Sequence, residues 1–319
     1  MDSAQAIVHR LDMAQRHRPW LAFPFAVMKK FGDDEAGNLA ALIAYYGFFS
    51  MFPLLLVFVT ILGMAIKGDL ALQQRIEESA LSNFPVLGTQ ISQNIHSLSG
   101  GSFGLVVGIV LALWAGLGVL KAMQTAMNTV WTVPYRHRPN FLMSILRALL
   151  MLVVLGAVTV ASAAAGAVGA GSSSWLLGTV GIGVSLVLNF VLFALAFRIL
   201  TTEDVSWADV RPGAIVAAVA WTILQAVGGY YVSHQLQGSS DMYGTFATVI
   251  GLLAWIFLAA QITLFAAEIN VVKKRRLWPR ALVPPPLTEA DARALKDYGE
   301  QEERRPEEDV DVRIDGRPS

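Results

Sequence analysis

Six stretches of the chain are apolar almost without interruption: 40–66, 103–122, 142–171, 175–197, 210–233 and 244–272. A helix needs about 20 mostly apolar residues to cross a hydrocarbon layer roughly 30 Å thick, so each stretch predicts a transmembrane helix. The chain then divides into an N-terminal segment (1–39), a six-helix membrane domain (40–272) and a tail (273–319). The third and fourth runs are separated only by Gly169 to Ser174, a glycine- and serine-rich stretch that reads as a tight hairpin. Loop 67–102 places Leu72, Ile76, Leu81, Phe84, Leu87, Ile91 and Ile95 near helical period. It predicts amphipathic helices, lying on the outer leaflet or packed as a cap on the helix ends. Before the first run, Trp20, Phe23, Phe25 and Phe31 accompany Lys29 and Lys30, the pattern of an interfacial helix. Beyond Trp278 the chain turns polar, with Pro284-Pro285-Pro286 and mixed charge runs, and is expected to be disordered.

Composition agrees with a bilayer as the solvent: 55% of the 319 residues are apolar and 15% charged. Net charge is zero, but its placement is informative. Lys and Arg concentrate in short loops facing the cytoplasm, and with the N-terminus inside, 22 of the 24 basic residues fall on the inner side. Only Lys67 and Arg75 fall outside. The expected fold is an all-α integral membrane protein of the bacterial inner membrane, with six transmembrane helices and both termini cytoplasmic. The absence of cysteine excludes disulfides and thiol chemistry.

Polar groups within the spans are the candidate functional residues. Glu268 is the only carboxylate in any of the six, and an intramembrane ionisable group is a functional candidate by default. Gln261 lies seven residues earlier on the same helical face, and Asn270 follows closely. Glu268 is also close to Lys273 at the end of its span, so a salt bridge to Lys121, Arg147 or Arg198 is the plainer expectation, with proton coupling or head-group recognition the alternative. Pro53 interrupts the first span after Tyr45, Tyr46 and Ser50, and bends the helix towards a polar interior or merely for packing. Gln225 adds a polar group in the fifth span. Small residues at four-residue spacing (Ala157, Ala161, Ala165, Gly169; Gly104 and Gly108) suit close helix packing or a homo-oligomer interface. Lys273-Lys274-Arg275-Arg276 reads as a topology anchor. No nucleophile elbow, Walker loop or zinc-protease motif occurs, and the five histidines are scattered. No enzyme activity, metal or cofactor is expected.

Four ordered blocks resemble the YihY/BrkB family of bacterial inner-membrane proteins, whose older members carried a ribonuclease BN label. They are Ala41 to Leu54 (ALIAYYGFFSMFPL), Asn128 to Val133 with Arg136, Trp207 to Ala214 containing Pro212-Gly213-Ala214, and Tyr243 to Ala247 followed by Trp255 and Ala267-Glu268-Ile269-Asn270. The resemblance runs from about Leu39 to Val272. Ala266 stands where the family often has glycine. Membership implies a six-helix inner-membrane protein associated with the cell envelope and, as a proposal for the family, with lipid export. It gives no support to the nuclease label, because no acidic or histidine cluster could hold hydrolytic metal ions.

The resulting expectation is a protein that transports envelope lipids or helps translocate them, with membrane lipids as its partners and no nucleic acid. Tyr45, Tyr46, Ser50, Pro53, Gln225, Gln261, Glu268 and Asn270 would line the substrate path, and Asn128, Arg136, Pro212 and Gly213 form a cytoplasmic motif. No ATPase motif is present, so energy would come from a gradient, from a partner or from none. The alternatives are a non-transporting scaffold that docks a periplasm-spanning envelope partner and, more remotely, a membrane-bound ribonuclease.

Overall fold

A computed structural model describes residues 12–13, 15–16, 18–65, 101–170, 175–235, 244–282 and 286–314. Most of the expected loop 67–102, residues 171–174 of the expected Gly169–Ser174 hairpin, and Tyr243 lie outside the described residues. Among those described, the secondary structure is helical, with no strands. Helix α1 is Pro19–Asp33, α2 Ala36–Ala65, α3 Gly101–Val130, α4 Phe141–Ala170, α5 Trp175–Leu200, α6 Trp207–Gln235, α7 Gly244–Arg275 and α8 Glu289–Gln301. Four of them, α4 to α7, contain described stretches long and apolar enough to cross a membrane. Helices α2 and α3 have 30 residues each, about 45 Å at 1.5 Å per residue.

Helices α2 to α7 pack as a closed ring in chain order, with α7 returning to α2, and α3 also touching α5 and α7. Small residues set the closest approaches. A Cβ on Gly213 of α6 would lie 2.1 Å from the Ala266 carbonyl oxygen of α7, and one on Gly228 would lie 2.1 Å from the Trp255 ring. A substitution at Gly213 meets backbone and therefore pushes the two helices apart, whereas one at Gly228 meets the Trp255 ring and displaces that side chain.

The helices outrun the apolar stretches that predict them. Helix α3 continues to Val130, past the predicted end at 122, because Gln124 and Asn128 are buried against neighbours. Its Gln124 exchanges hydrogen bonds with Ser144, at 2.9 Å and 2.8 Å. The chain stops at this end by local geometry. Thr132 and Arg276 take left-handed φ values of 49° and 52°, and Val133 and Leu277 donate back to the Asn128 and Val272 carbonyls, closing α3 and α7 with Schellman-type ends.

The tail overturns the expectation of disorder for 286–314. Thr288 and Asp291 form a capping box that starts α8, and the segment docks on the ring's charged end. The N-terminal segment meets it there: Gln15 donates to the Arg280 carbonyl at 2.6 Å, and Leu282 N–H donates to Asp12 at 2.9 Å. Arg136 of the α3–α4 loop pairs with Glu303 at 2.9 Å. Lys274 and Arg275 reach Glu203 of the α5–α6 loop at 3.8 Å and 3.7 Å. Two loops and both terminal segments thus form one cross-linked plate at a single end of the bundle.

Candidate functional site

At the centre of the plate lies a buried charge cluster contributed by α1, α7 and α8. Residues Ala22, Ala26, Val27 and Lys30 form the buried face of α1, and this register drives the Lys30 side chain into the bundle, where it is 1% exposed. Its ammonium lies 2.5 Å from Asp34 Oδ2 and donates to the Val130 carbonyl at 2.8 Å. Glu268 Oε2 is 3.2 Å away, and Glu268 itself is 0% exposed. That approach is off the hydrogen-bond axis, and neither Glu268 oxygen gains an aligned donor among the described residues. The attraction is Coulombic, and a low local dielectric strengthens it. Tyr298 of α8 completes the cluster, donating its hydroxyl to Asp34 Oδ1 at 2.6 Å. Burial alone would push the Lys30 ammonium down, but Glu268 and Asp34 outweigh it and hold the pKa above the ordinary lysine value. Burial and the neighbouring Asp34 push the Tyr298 phenol up.

A second joint lies on the other face of α7. Asn270 is fully buried, and its Oδ1 accepts the Gly213 N–H at 2.7 Å. Pro212, just before, has no N–H to give, so the asparagine binds the first donor after the proline. Asn128 does similar work on α3: its Oδ1 accepts the Thr202 N–H at 2.8 Å, tying α3 to the α5–α6 loop.

A third joint fixes the tail. Asp291 accepts from Lys29 at 3.0 Å, Arg280 Nε at 2.6 Å, the Ala281 N–H at 2.9 Å and Thr288 Oγ1 at 2.7 Å. Arg280 also reaches Asp33 at 2.8 Å. Burial by itself would raise the Asp291 carboxyl, but these donors outweigh it and hold the group well below the usual carboxylate range.

The predicted partners of Glu268 are therefore corrected. Lys121 is exposed and lies over the Phe141 ring, Arg147 donates to the Thr201 carbonyl, and Arg198 donates to that of Val205. Their places at helix ends suggested them, but each is satisfied locally, and the cation that reaches Glu268 comes from the non-spanning helix α1. Of the sequence candidates, Glu268, Asn270, Asn128, Arg136, Pro212 and Gly213 belong to the plate. The others lie along the bundle and do not join them. Tyr45 is exposed in a row with Leu42 and Phe49, and its ring stands 4.8 Å from that of Phe49. Tyr46 packs over Gly118, Ser50 donates to the Gly47 carbonyl at 2.8 Å, and Pro53 and Gln261 are half-buried. Gln225 is exposed. Sequence reasoning missed Lys30, Asp34 and Tyr298. The i, i+4 spacing of Lys30 and Asp34 was a usable signal.

Away from the plate, packing loosens. Leu155, Gly156 and Ala157 of α4 are all exposed, as are Gly183, Val184 and Ser185 of α5 and Gln225, Ala226 and Val227 of α6. Consecutive helical residues point about 100° apart, so each trio covers a little over half of its helix's circumference, and the flanking Val154, Val158, Leu186, Leu224 and Gly228 are half-buried or buried. The described bundle is cross-linked at the plate and presents broad apolar faces beyond it.

Comparison with known proteins places this architecture. The family model described as virulence factor BrkB matches residues 27–286. The inner membrane protein YhjD of Escherichia coli is 25% identical over 82% of this chain and 84% of its own length. A UPF0761 membrane protein of Ralstonia nicotianae is 26% identical over 81% of this chain and 60% of its own length. A Bacillus subtilis protein named putative ribonuclease-like protein YfkH is 23% identical over 80% of this chain and 96% of its own. No solved structure matches.

Proposed function

The chain belongs to the virulence factor BrkB family, and from that premise we propose that it is a six-helix protein of the bacterial inner membrane that helps envelope lipids move between leaflets. Two observations support the topology. The N-terminal segment and the tail bond to each other on one face, as an even number of crossings requires. The same face carries the basic loop residues, and basic loops are retained in the cytoplasm. A relative is named an inner membrane protein.

The observation that carries the lipid reading is the contrast along the bundle axis. One end is tied together by ion pairs, while beyond it α4, α5 and α6 present broad exposed faces with mostly apolar side chains. Faces of this kind suit an amphiphile whose acyl chains stay in the hydrocarbon, and the exposed Gln225 of α6 and Tyr45 and Tyr46 of α2 are polar groups available to its head. The charged plate would act as the fixed floor of the path. Nothing in this reading calls for a catalytic residue, and the chain acts as a translocation protein and not as an enzyme.

The test is reconstitution of the full chain in liposomes with a fluorescent head-labelled phospholipid, scoring the label that becomes accessible to an external quencher. Movement above that of empty vesicles, altered by Pro53→Ala or Gln225→Ala, is the expected result. Movement equal to empty vesicles for the wild type would overturn it.

A further inference from the structure

The outer surfaces of α5 and α6 run into the same corner of the plate. On α5, Val180, Val184, Val187 and Val191 are exposed at helical spacing, and Arg198 continues that row. On α6, the exposed Ile215, Val219, Ile223 and Val227 follow at four-residue steps from Arg211, which is itself exposed. Helices α5 and α6 pack together and are joined by the short loop 201–206. Trp207, 45% exposed, lies between the two arginines, with the Arg198 guanidinium 4.7 Å from its ring centroid and Arg211 one turn further along α6. An indole beside cations at the edge of an apolar surface is the signature of the head-group level of a bilayer.

Two of the three carboxylates between 201 and 211 are already engaged, and the third, the exposed Asp204, forms no ion pair with Arg198 or Arg211 among the described residues. Asp209 lies 3.6 Å from Lys274, and Glu203 reaches Lys274 and Arg275. Arg198 uses its Nε on the Val205 carbonyl at 3.1 Å, and no ion pair of Arg198 or Arg211 occurs among the described residues. Two guanidinium groups without anionic partners among the described residues thus stand at the ends of two apolar rows.

The geometry points to a binding site for the phosphate of an anionic phospholipid in the plate-side leaflet, held between Arg198 and Arg211 with its acyl chains along the exposed rows of α5 and α6. Guanidinium forks match phosphate oxygens bidentately, and the apolar rows select a lipid over a free phosphate. The site lies on the outside of the bundle, so it stands whether or not the chain translocates lipid.

Native mass spectrometry of the purified full-length protein, after exchange into detergent with added phosphatidylglycerol or phosphatidylcholine, tests it. Wild type should retain phosphatidylglycerol preferentially. Arg211→Gln should lower retention about tenfold, the scale of a lost charged hydrogen bond, and Arg211→Lys should lower it less. Arg293→Gln on the exposed face of α8 should leave retention unchanged. Arg198→Gln should add to the Arg211→Gln loss, and if it destabilises the chain through its Val205 bond, Arg211→Gln alone decides. Retention by Arg211→Gln equal to wild type, equal retention of the two lipids, or displacement of the lipid by inorganic phosphate at comparable concentration would each overturn the assignment.

Discussion

Replacing Lys30 by methionine tests the central cluster most directly. The side chain fits the same volume, but the change removes the cation shared by Asp34 and Glu268 and leaves the Val130 carbonyl without its donor. Breaking a buried ion pair from one side costs about 3–5 kcal/mol, because the remaining charge stays out of water without compensation. At roughly 2–4 °C per kcal/mol for larger domains, the expected fall in Tm is on the order of 10 °C. Thermal unfolding of the detergent-purified chain, followed by tryptophan fluorescence, measures it, with Lys296→Met on the exposed face of α8 as the control. Glu268→Gln should cost less, since Lys30 keeps Asp34. Adding Glu268→Gln to Lys30→Met should recover part of the loss, because removing both charges also removes the unpaired one. A Lys30→Met shift no larger than that of Lys296→Met would refute the cluster as described, and so would a Glu268→Gln shift larger than that of Lys30→Met.

Gly213→Ala should destabilise the α6–α7 joint by about 1–3 kcal/mol, since its Cβ would collide with the Ala266 carbonyl at 2.1 Å; a melting temperature within a degree of wild type would contradict it. Gly228→Ala should drive the Trp255 ring from its seat, and a wild-type near-UV circular dichroism spectrum would count against that contact. Asp291 is held below the usual carboxylate range, so its contribution is fully present above that range and lost as the pH falls through the folded pKa. Limited proteolysis of the tail should therefore accelerate in strong acid for the wild type, and Asp291→Asn should show the accelerated cleavage already at neutral pH; indifference to the substitution would refute the role of Asp291. Arg136→Gln, which removes the Glu303 pair and the bond to the Glu308 carbonyl, should increase amide exchange in 303–308 with little effect on Tm.

The four candidate spans of α4 to α7 were legible because bilayer-crossing helices must be long and apolar, a requirement on composition that any reading of the chain can detect. Helix ends were less legible: α3 runs on beyond its apolar stretch, through Gln124 and Asn128, whose partners lie on α4 and in the α5–α6 loop. Glu268 and Asn270 stood out as polar residues in an apolar run, but their functions depend on Lys30 and Gly213, which sequence spacing does not connect to them. The tail misled for the opposite reason. Its composition is that of a disordered segment, and what orders it is a small set of directed contacts made by Thr288, Asp291 and Tyr298. Thr288-x-x-Asp291 has the spacing of a helix start, a signal that the compositional reading passed over, and nothing in that spacing connects the helix to Asp34.

The placement of charge also bears on where function resides. A buried ion pair seldom adds net stability over well-packed apolar residues of the same volume, so Lys30, Asp34 and Glu268 are poorly explained as a source of stability alone. Their geometry offers another account. Lys30 and Asp34 belong to a helix and turn before α2, Glu268 to α7, and Tyr298 to the tail. An apolar contact among these segments would tolerate sliding by a residue, whereas a lysine that must meet two carboxylates and a carbonyl at once permits one register. Because Asp34 and Lys30 are occupied by protein partners, the centre of the plate has little left with which to bind a ligand. Groups free to interact are found along the apolar turns beyond the plate and at its rim, where Tyr45, Gln225 and Arg211 are exposed, and substitutions there should alter lipid interaction while leaving the fold intact.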